Sequence, residues 1–296
     1  EELKGVVHGV DFLRELNFRL DKAGTKDVEI GIGHKVAVIG GGDVAVDAAR
    51  CALRLGAEVT IIYRRTREEM PAREDELRDA EDEGVQLLYL ASPSRIIGSE
   101  RVEALECLRM KLGEPDESGR RRPIPVEGSE FILDVDTVIV AIGQQSGLEF
   151  LEGSGIDTEG GRIRADRFGR TSKEGIFACG DAVTGPATVI EAIAGGKRVA
   201  EAIDCYLRGL PAREEEVREE IGIEEVKARL KGAIEPKSRK KQRKLPVQER
   251  IHSFDEVEVG FNHDEAIEEA NRCLKCGICA DCRLCERVCE ADAIMH

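Results

Sequence analysis

A strand, a glycine turn, a helix and a second strand follow one another in residues 35 to 65, KVAVIGGGDVAVDAARCALRLGAEVTIIYRR. The opening apolar run suits a buried parallel strand, and the pattern G-x-G-x-x-A follows it directly. Gly40 permits a tight turn, Gly42 lets a pyrophosphate approach the backbone, and Ala45 keeps the helix close to the strand. The segment therefore predicts one βαβ half of a dinucleotide-binding domain, with the phosphates at the helix N-terminus. The predicted contacts in this turn are Gly40, Gly41, Gly42, Asp43 and Ala45.

The end of the second strand carries two arginines, Arg64 and Arg65. In such a domain the ribose 2′ position lies about 20 residues beyond the glycines, where an NAD site normally places Asp or Glu. Arginine pairs with a 2′-phosphate through charge-assisted hydrogen bonds, so the sequence favours NADP(H) over NAD(H). The alternative is that both arginines are solvated strand-end residues paired with Glu68 or Glu69.

Six cysteines lie within residues 273 to 289, and the last four have the spacing C-x2-C-x2-C-x3-C. This spacing is typical of [4Fe-4S] clusters, because thiolates two residues apart on a tight loop reach adjacent irons. Structural zinc is the alternative, although four successive two-residue spacers crowd a single tetrahedral ion. Spacing alone does not apportion the six ligands among clusters. The predicted metal ligands are Cys273, Cys276, Cys279, Cys282, Cys285 and Cys289.

Composition narrows the classes of partner. The formal net charge of −15 argues against nucleic acid, whose phosphates need clustered Lys and Arg, and favours a protein partner. No apolar run approaches the roughly 20 residues of a membrane span, and the N-terminus lacks the pattern of a signal peptide. The four remaining cysteines are scattered singly, which suits a reducing compartment better than a disulfide framework. We therefore expect a cytoplasmic protein.

With TREEMPA at residues 66 to 72, these motifs resemble the glutamate synthase small-subunit family of flavin- and NADPH-dependent iron-sulfur oxidoreductases. Three further stretches agree in order and spacing, so that the resemblance covers most of residues 1 to 210. They are LGEPDESGRRRPIP at 112 to 125, DTVIVAIGQ at 136 to 144 and IFACGDAVTGPATVIEAIAGGKRVAEAI at 176 to 203. The resemblance implies an α/β protein with a glutathione-reductase-like core of two Rossmann-type dinucleotide-binding domains. A C-terminal ferredoxin-like iron-sulfur segment would follow.

The resemblance also implies a domain order, since in this family the nicotinamide domain interrupts the FAD domain. The two crossings are expected near Gly31 and Gly143, and the family's first FAD βαβ unit is expected elsewhere on a longer polypeptide. The final CEADAIMH resembles a point where a two-cluster ferredoxin continues. The implied domains are 1–30, the end of the first FAD part and crossover; 31–143, the NAD(P)-binding domain; 144–210, the second FAD part; 211–250, a charged linker; and 251–296, the iron-sulfur segment.

The second FAD part supplies the expected flavin contacts. A short apolar strand ends at Gly180 and Asp181, and the resemblance implies that Asp181 accepts a hydrogen bond from a ribityl hydroxyl; an ordinary turn or cap aspartate is the alternative. Thr188 and Val189 open an apolar helix whose N-terminal dipole would stabilise anionic reduced flavin. The cofactor contacts expected outside the first βαβ unit are Gly143, Gly180, Asp181, Pro186, Thr188 and Val189.

The implied function is electron transfer between NADPH, FAD and [4Fe-4S] clusters, toward a partner subunit of a larger redox complex. No catalytic base or nucleophile is expected, because hydride passes directly between nicotinamide and flavin. A disulfide reductase would need a cysteine pair beside the flavin, whereas residues 31 to 143 contain only Cys51 and Cys107, far apart in sequence. The alternative from another class is a non-catalytic scaffold with a degenerate flavin site and a zinc-binding tail.

Overall fold

The structure, a computed structural model, describes residues 3–23, 30–116, 119–143, 147–212 and 237–272. The chain forms two units, of which the first contains Glu1–Glu215 with Pro246–Asp255 and the second Glu216–Leu245 with Glu256–His296. The six cysteines predicted as metal ligands lie outside the described residues. None of the helices that the structure describes is long and apolar enough to cross a membrane.

Strands and helices alternate from Val6 to Tyr89, and the next five elements are all strands. The helices are α1 (Gly9–Ala23), α2 (Asp43–Arg54), α3 (Glu74–Glu83), α4 (Asp181–Thr184), α5 (Val189–Leu207), α6 (Val247–Arg250) and α7 (His263–Ala270). The strands are β1 (Val6–His8), β2 (Lys35–Ile39), β3 (Glu58–Tyr63), β4 (Gln86–Tyr89), β5 (Ala91–Ile97), β6 (Ala104–Pro115), β7 (Arg121–Pro125), β8 (Phe131–Asp134), β9 (Thr137–Val140), β10 (Thr158–Glu159), β11 (Arg162–Ile163), β12 (Arg243–Lys244) and β13 (Glu258–Gly260). Two short 3₁₀ helices cover Arg67–Glu69 and Glu149–Leu151.

A parallel sheet with the strand order β1-β9-β2-β3-β4 is the centre of the first unit. Val36 of β2 lies opposite Val59 of β3 on one side and Thr137 of β9 on the other. The chain runs outward from β2 to β4 through α2 and α3, whereas β9 and β1 lie on the other side of β2. The order therefore reverses at β2, and in open parallel sheets ligands bind outside the carboxyl ends of the strands at such a point.

Alternate residues of β2 enter two different apolar clusters. Val36 and Val38 pack on one face with buried residues of α1, α2 and α3, and Ala37 packs on the other face with Leu105 and Cys107 of β6. The second face is covered by the antiparallel strands β5-β6-β7, with β8 also paired to β6. Burial on both faces explains why KVAVI is a continuous apolar run rather than an alternating one. Each fully buried Val or Ile contributes roughly 1.5–3 kcal/mol.

The first described residues belong to this same sheet and helix layer. Val6 of β1 lies opposite Val138 of β9, and Phe12 of α1 is buried in the cluster on the helix side. Residues 1–30 are predicted to be the end of the first FAD part and the crossover, whereas β1 and α1 pack against elements of the region 31–143. The domain boundaries themselves stay predictions.

Smaller elements follow the central sheet. In the first unit, β10 and β11 form a hairpin, and α5 begins with a capping box in which Thr188 and Glu191 satisfy each other's backbone amides. In the second unit, β12 pairs antiparallel with β13, and α7 begins with a capping box made by Asn262 and Glu265. The capping residues at these positions therefore determine where each of the two helices begins.

Candidate functional site

The turn between β2 and α2 leaves no room for side chains at two of its glycines. A Cβ on Gly40, which has φ +150°, would lie 2.6 Å from the Ala141 carbonyl oxygen and 3.1 Å from the Ala45 Cβ. A Cβ on Gly41 would lie 2.5 Å from two ring carbons of Tyr63. Tyr63 is fixed in that place because its hydroxyl donates a 2.7 Å hydrogen bond to the Glu69 carbonyl oxygen. The Ala141 carbonyl therefore excludes a side chain at Gly40, and the Tyr63 ring excludes one at Gly41.

Gly42 differs from its neighbours, because the space beside it is open. It is the N-cap residue of α2 with φ −96°, and an added Cβ would meet only the Pro71 Cγ, at 3.9 Å. The first-turn amides of α2 are thus accessible to a ligand beside Gly42. Asp43 begins the helix, and its carboxylate accepts a 3.2 Å hydrogen bond from the backbone N–H of Arg73. This contact connects the glycine turn to the segment after β3.

A cleft of about 640 Å³ opens at the carboxyl ends of β2, β3 and β9. It is lined by the glycine turn, by Arg64 and Arg65 after β3, and by residues 141 to 143 after β9. A second cleft of about 380 Å³ borders the same turn and is lined by His8, Asp43 and Val44 among others. Gly42 and Gly143 line both clefts. The larger cleft lies at the point where the strand order reverses.

The two arginines after β3 have different environments. The side chain of Arg65 is 5% exposed, and its Nη2 lies 2.6 Å from Asp116 Oδ2 while its Nε donates to the Arg121 carbonyl oxygen at 2.7 Å. Arg64 is exposed at the cleft and makes no hydrogen bond or ion pair with any residue that the structure describes. Neither arginine pairs with Glu68 or Glu69 in the described part of the chain, which was the alternative considered above.

Glu69 instead anchors the turn end of the β6–β7 hairpin. Its carboxylate accepts from the backbone N–H and hydroxyl of Thr66, and from Arg121 Nε at 2.5 Å. Burial raises the pKa of Glu69, but the hydrogen bonds from Thr66 and Arg121 together outweigh it and leave the pKa lowered. The carboxylate is therefore ionised at neutral pH and holds Arg121 beside the cleft.

The same hairpin brings to the cleft a residue that the sequence reasoning missed, Arg120. The stretch around it served only as part of the family resemblance, because no local motif connects the turn between β6 and β7 with the glycine turn and the end of β3. Three consecutive arginines next to a turn between two strands were the available signal. Among the described residues that line the cleft there are three arginines and no carboxylate.

The residues expected to contact a flavin lie around the turn before α4. Gly180 has φ +67° and precedes the helix, and a Cβ added at Gly195 of α5 would lie 3.7 Å from its backbone nitrogen. Asp181 begins α4 with an exposed side chain that forms no hydrogen bond with a described residue, so it is not a capping aspartate. Thr188 is the N-cap of α5, and Pro186 and Val189 are exposed beside it in sequence. The structure thus brings the Gly180 turn against α5.

The cysteines of the central region do not form a redox pair. Cys51 belongs to the apolar cluster on the helix side of the sheet, and Cys107 to the cluster on the opposite side. Burial raises the pKa of each thiol to about 11. In the ranges that the structure describes, no three His, Cys, Asp or Glu side chains are placed to hold a metal ion. The predicted ligands at 273 to 289 lie beyond those ranges.

Known proteins resemble this chain over most of its length. Residues 3–196 match the family described as pyridine nucleotide-disulphide oxidoreductase. The chain is 45% identical to the NADP(+)-dependent formate dehydrogenase subunit beta of Moorella thermoacetica, over 92% of this chain and 39% of that protein. It is 41% identical to the glutamate synthase [NADPH] small chain of Halomonas elongata, over 70% of this chain and 46% of that protein. The chain thus spans less than half the length of these curated relatives.

A solved structure shares the fold at low sequence identity. The chain aligns with FprA of Mycobacterium tuberculosis in complex with NADPH at a TM-score of 0.56 and 21% identity. The alignment covers 71% of this chain and 60% of that chain. The predicted α/β Rossmann-type core is therefore confirmed, while the six cysteines of the predicted ferredoxin-like segment lie outside the described residues.

Proposed function

Because the chain belongs to the pyridine nucleotide-disulphide oxidoreductase family, we propose that it binds NADPH and FAD within an electron-transfer oxidoreductase. The resemblance to glutamate synthase small chains that the sequence predicts is confirmed. In the proposed arrangement, NADPH occupies the cleft at the carboxyl ends of β2 and β3, and FAD lies against the Gly180 turn and the start of α5.

The observation that carries the nicotinamide assignment is the exposed Arg64 at the end of β3, beside the open glycine turn. An NAD site of this kind normally has a carboxylate at that position, to accept from the ribose 2′-hydroxyl. The cleft offers guanidinium groups instead, which suit a 2′-phosphate. Its glycine turn also fits a dinucleotide, because a side chain at Gly42 would project into the cleft where a pyrophosphate must approach the helix.

The flavin assignment is supported by chemistry around Gly180 and α5. The carboxylate of Asp181 is exposed and is not used in capping, so it can accept from a ribityl hydroxyl. The positive end of the 19-residue helix α5 can face a developing negative charge on the isoalloxazine ring. When bound, NADPH and FAD would supply hydride transfer, and clusters on the cysteines at 273 to 289 would carry single electrons. The described residues bind and orient the cofactors.

A place in a larger assembly is part of the same proposal. The relatives described above carry the names "subunit beta" and "small chain". The acidic net charge of −15 also favours protein partners over nucleic acid. We therefore propose that one or more partner subunits receive or supply the electrons.

The test is absorbance and low-temperature EPR of the anaerobically purified native complex, before and after NADPH is added. Flavin bleaching together with a reduced-cluster signal is expected. Metal analysis distinguishes electron transfer from the alternative, a non-catalytic scaffold. Zinc without acid-labile sulfide would support the scaffold, whereas iron with sulfide supports electron transfer. A sample reduced by dithionite but by neither NADPH nor NADH would overturn the nicotinamide assignment.

A further inference from the structure

We propose that residues 237 to 244, the basic segment, form a docking site for a small acidic protein that carries single electrons. Its sequence, KSRKKQRK, places six lysines and arginines in eight positions of a chain whose formal net charge is −15. The inference rests on the proposed function, because it names a kind of carrier with which the electron-transfer chain would exchange electrons.

The basic segment has a defined place beside helix α7. The backbone N–H of Lys240 donates to Glu269 Oε2 at 3.0 Å, and its ammonium group forms an ion pair with Glu268. At the start of the segment, the carbonyl oxygen of Lys237 accepts a 3.1 Å hydrogen bond from Arg272 Nε. At its end, β12 pairs with β13. Both ends and the middle of the segment are therefore held by neighbouring groups.

Two cations of the basic segment are left for a partner. Arg239 and Lys241 are exposed, and neither forms a hydrogen bond or an ion pair with a residue that the structure describes. They flank Lys240 in the chain, so the contacts of Lys240 with α7 also hold the backbone at these two positions. The segment thus presents two uncompensated positive charges on a backbone of fixed position.

The basic segment lies beside the start of the region that carries the predicted cluster ligands. Arg272, which donates to the Lys237 carbonyl oxygen, directly precedes Cys273 in the chain. Electron transfer between two proteins requires a short distance between their redox centres. A carrier that docks on the basic segment would therefore bind near the residue that leads into the predicted cluster region.

The charges and the polarity of the basic segment indicate the kind of partner. All eight residues are exposed and none is apolar, whereas permanent interfaces have an apolar core. Weak redox complexes are small, and complementary charge gives them fast association and a preferred orientation. Since the rest of the chain is more acidic still, it repels an acidic carrier everywhere except at this segment.

Nucleic acid fits the same segment less well. A DNA duplex carries one negative charge per roughly 1.7 Å of its axis, so it would extend from the eight basic residues onto the acidic remainder of the protein. A carrier protein can confine its acidic residues to a patch of matching size. The observations therefore favour an acidic protein.

The experiment measures NADPH formation by the purified native complex, with a dithionite-reduced plant-type ferredoxin as the acidic donor. Two reduced ferredoxins supply two electrons, which together with one proton convert NADP⁺ to NADPH. For the wild type, kcat/KM for ferredoxin is expected to fall about tenfold or more as ionic strength rises from about 0.01 M to about 0.1 M. Over that range the screening length decreases from about 30 Å to about 10 Å.

Charge reversal tests the two unpaired cations. Arg239→Glu combined with Lys241→Glu should lower kcat/KM for ferredoxin about tenfold or more at low ionic strength, and the difference should disappear at about 1 M salt. Arg239→Lys combined with Lys241→Arg keeps both charges and should retain the wild-type value. The matched control is Lys111→Glu combined with Arg164→Glu, which changes the net charge equally at two exposed residues of the first unit. We expect it to lower kcat/KM less than about twofold.

A second donor shows whether the variants are otherwise intact. Reduced methyl viologen is a small cation that needs no basic docking site, and it should support NADPH formation at the wild-type rate in every variant. A charge-reversed variant that is slow with both donors would show that the substitutions disturb the folded protein or its redox centres. That result would contradict a role confined to docking.

The remaining outcomes separate the docking site from the proposed function. A kcat/KM for ferredoxin that charge reversal leaves unchanged, or that falls equally in the matched control, would overturn the docking site. Binding of a DNA duplex at about 0.15 M salt that charge reversal abolishes would assign the segment to nucleic acid instead. NADPH formation from methyl viologen but not from ferredoxin would overturn the docking site alone, whereas formation from neither donor would overturn the proposed function.

Discussion

Nη1 of Arg250 lies 3.1 Å from Oδ1 of Asp79, and both side chains are at most 10% exposed. Arg250 ends the short helix α6, and Asp79 lies on α3 of the same unit. Glu83, on the same face of α3, is fully buried and forms hydrogen bonds of 2.7 and 3.0 Å with Arg50 of α2. The ion-pair cluster therefore fixes residues 246 to 255 on the helix layer of the sheet.

We expect Arg250→Ala to lower the free energy of unfolding by about 2–3 kcal/mol, because it leaves buried carboxylates with less compensating charge. The value lies below the usual range for such losses, since Arg50 and Arg54 still contact Glu83. Urea unfolding followed by circular dichroism measures it. Arg208→Ala is the control, because its ion pair with Asp204 is exposed, and we expect a loss below about 0.5 kcal/mol. Equal losses in both variants would contradict a special role for the buried cluster.

Gly42→Ala should affect nucleotide binding much more than folding. The new methyl group would meet only Pro71, at 3.9 Å, so the protein should lose no more than about 1 kcal/mol, from the poorer N-cap. The same methyl group occupies the approach to the first-turn amides of α2, and we expect at least tenfold weaker binding of NADP⁺ by calorimetry.

Gly31→Ala serves as the control for Gly42→Ala, because a Cβ there has no atom within 4 Å and lies outside the cleft. It should leave NADP⁺ affinity unchanged. Gly40→Ala should instead disturb the fold, since its Cβ would lie 2.6 Å from a carbonyl oxygen. A Gly42→Ala variant that binds NADP⁺ as the wild type does would contradict the placement of the phosphates.

The βαβ unit could be predicted from the sequence because the forces that form it are local. Three signals follow one another in the chain: the apolar run of β2, the glycine turn and the small residues of α2. Together they determine how α2 packs against β2. The different roles of Arg64 and Arg65 could not be predicted, because they depend on Asp116, which the pairing of β6 with β7 places beside Arg65. The same pairing brings Arg120 to the cleft. The contact between Arg65 and Asp116 joins residues 51 positions apart, and such a contact leaves no periodic signal in the sequence.

Cys51, Cys107 and Cys179 should react with an alkylating reagent at different rates. Burial raises the pKa of Cys51 and Cys107 to about 11, so at pH 8 only about one thiol in a thousand is ionised at either site. Cys179 is exposed. Iodoacetamide at pH 8 followed by mass spectrometry should therefore modify Cys179 first, and Cys51 and Cys107 only after unfolding in urea. Equal modification of all three in the native protein would contradict the observed burial.

The contacts of the Glu69 carboxylate with Thr66 and Arg121 should weaken in acid. Burial raises the pKa of this carboxyl and the hydrogen bonds from Thr66 and Arg121 lower it, with a net decrease from the ordinary value of 4.5. A group with a lowered folded-state pKa stabilises the fold above its unfolded pKa, and the contribution disappears as pH falls through the folded value. The wild type should thus be more stable than Glu69→Gln at pH 7, and the difference should shrink as pH decreases below about 4.5.

Urea unfolding of both proteins at pH 7, 5 and 4 measures this change, and the dependence on pH separates loss of the charge from loss of shape. Glu130→Gln is a suitable control, because this exposed carboxylate forms no ion pair with a described residue. It should give the same stability as the wild type at each pH. A Glu69→Gln deficit that stays constant from pH 7 to pH 4 would show that the ionised carboxylate does not hold the hairpin. The contact between the hairpin and the segment after β3 would then depend on Arg65 and its bonds to Asp116 and the Arg121 carbonyl, not on the charge of Glu69.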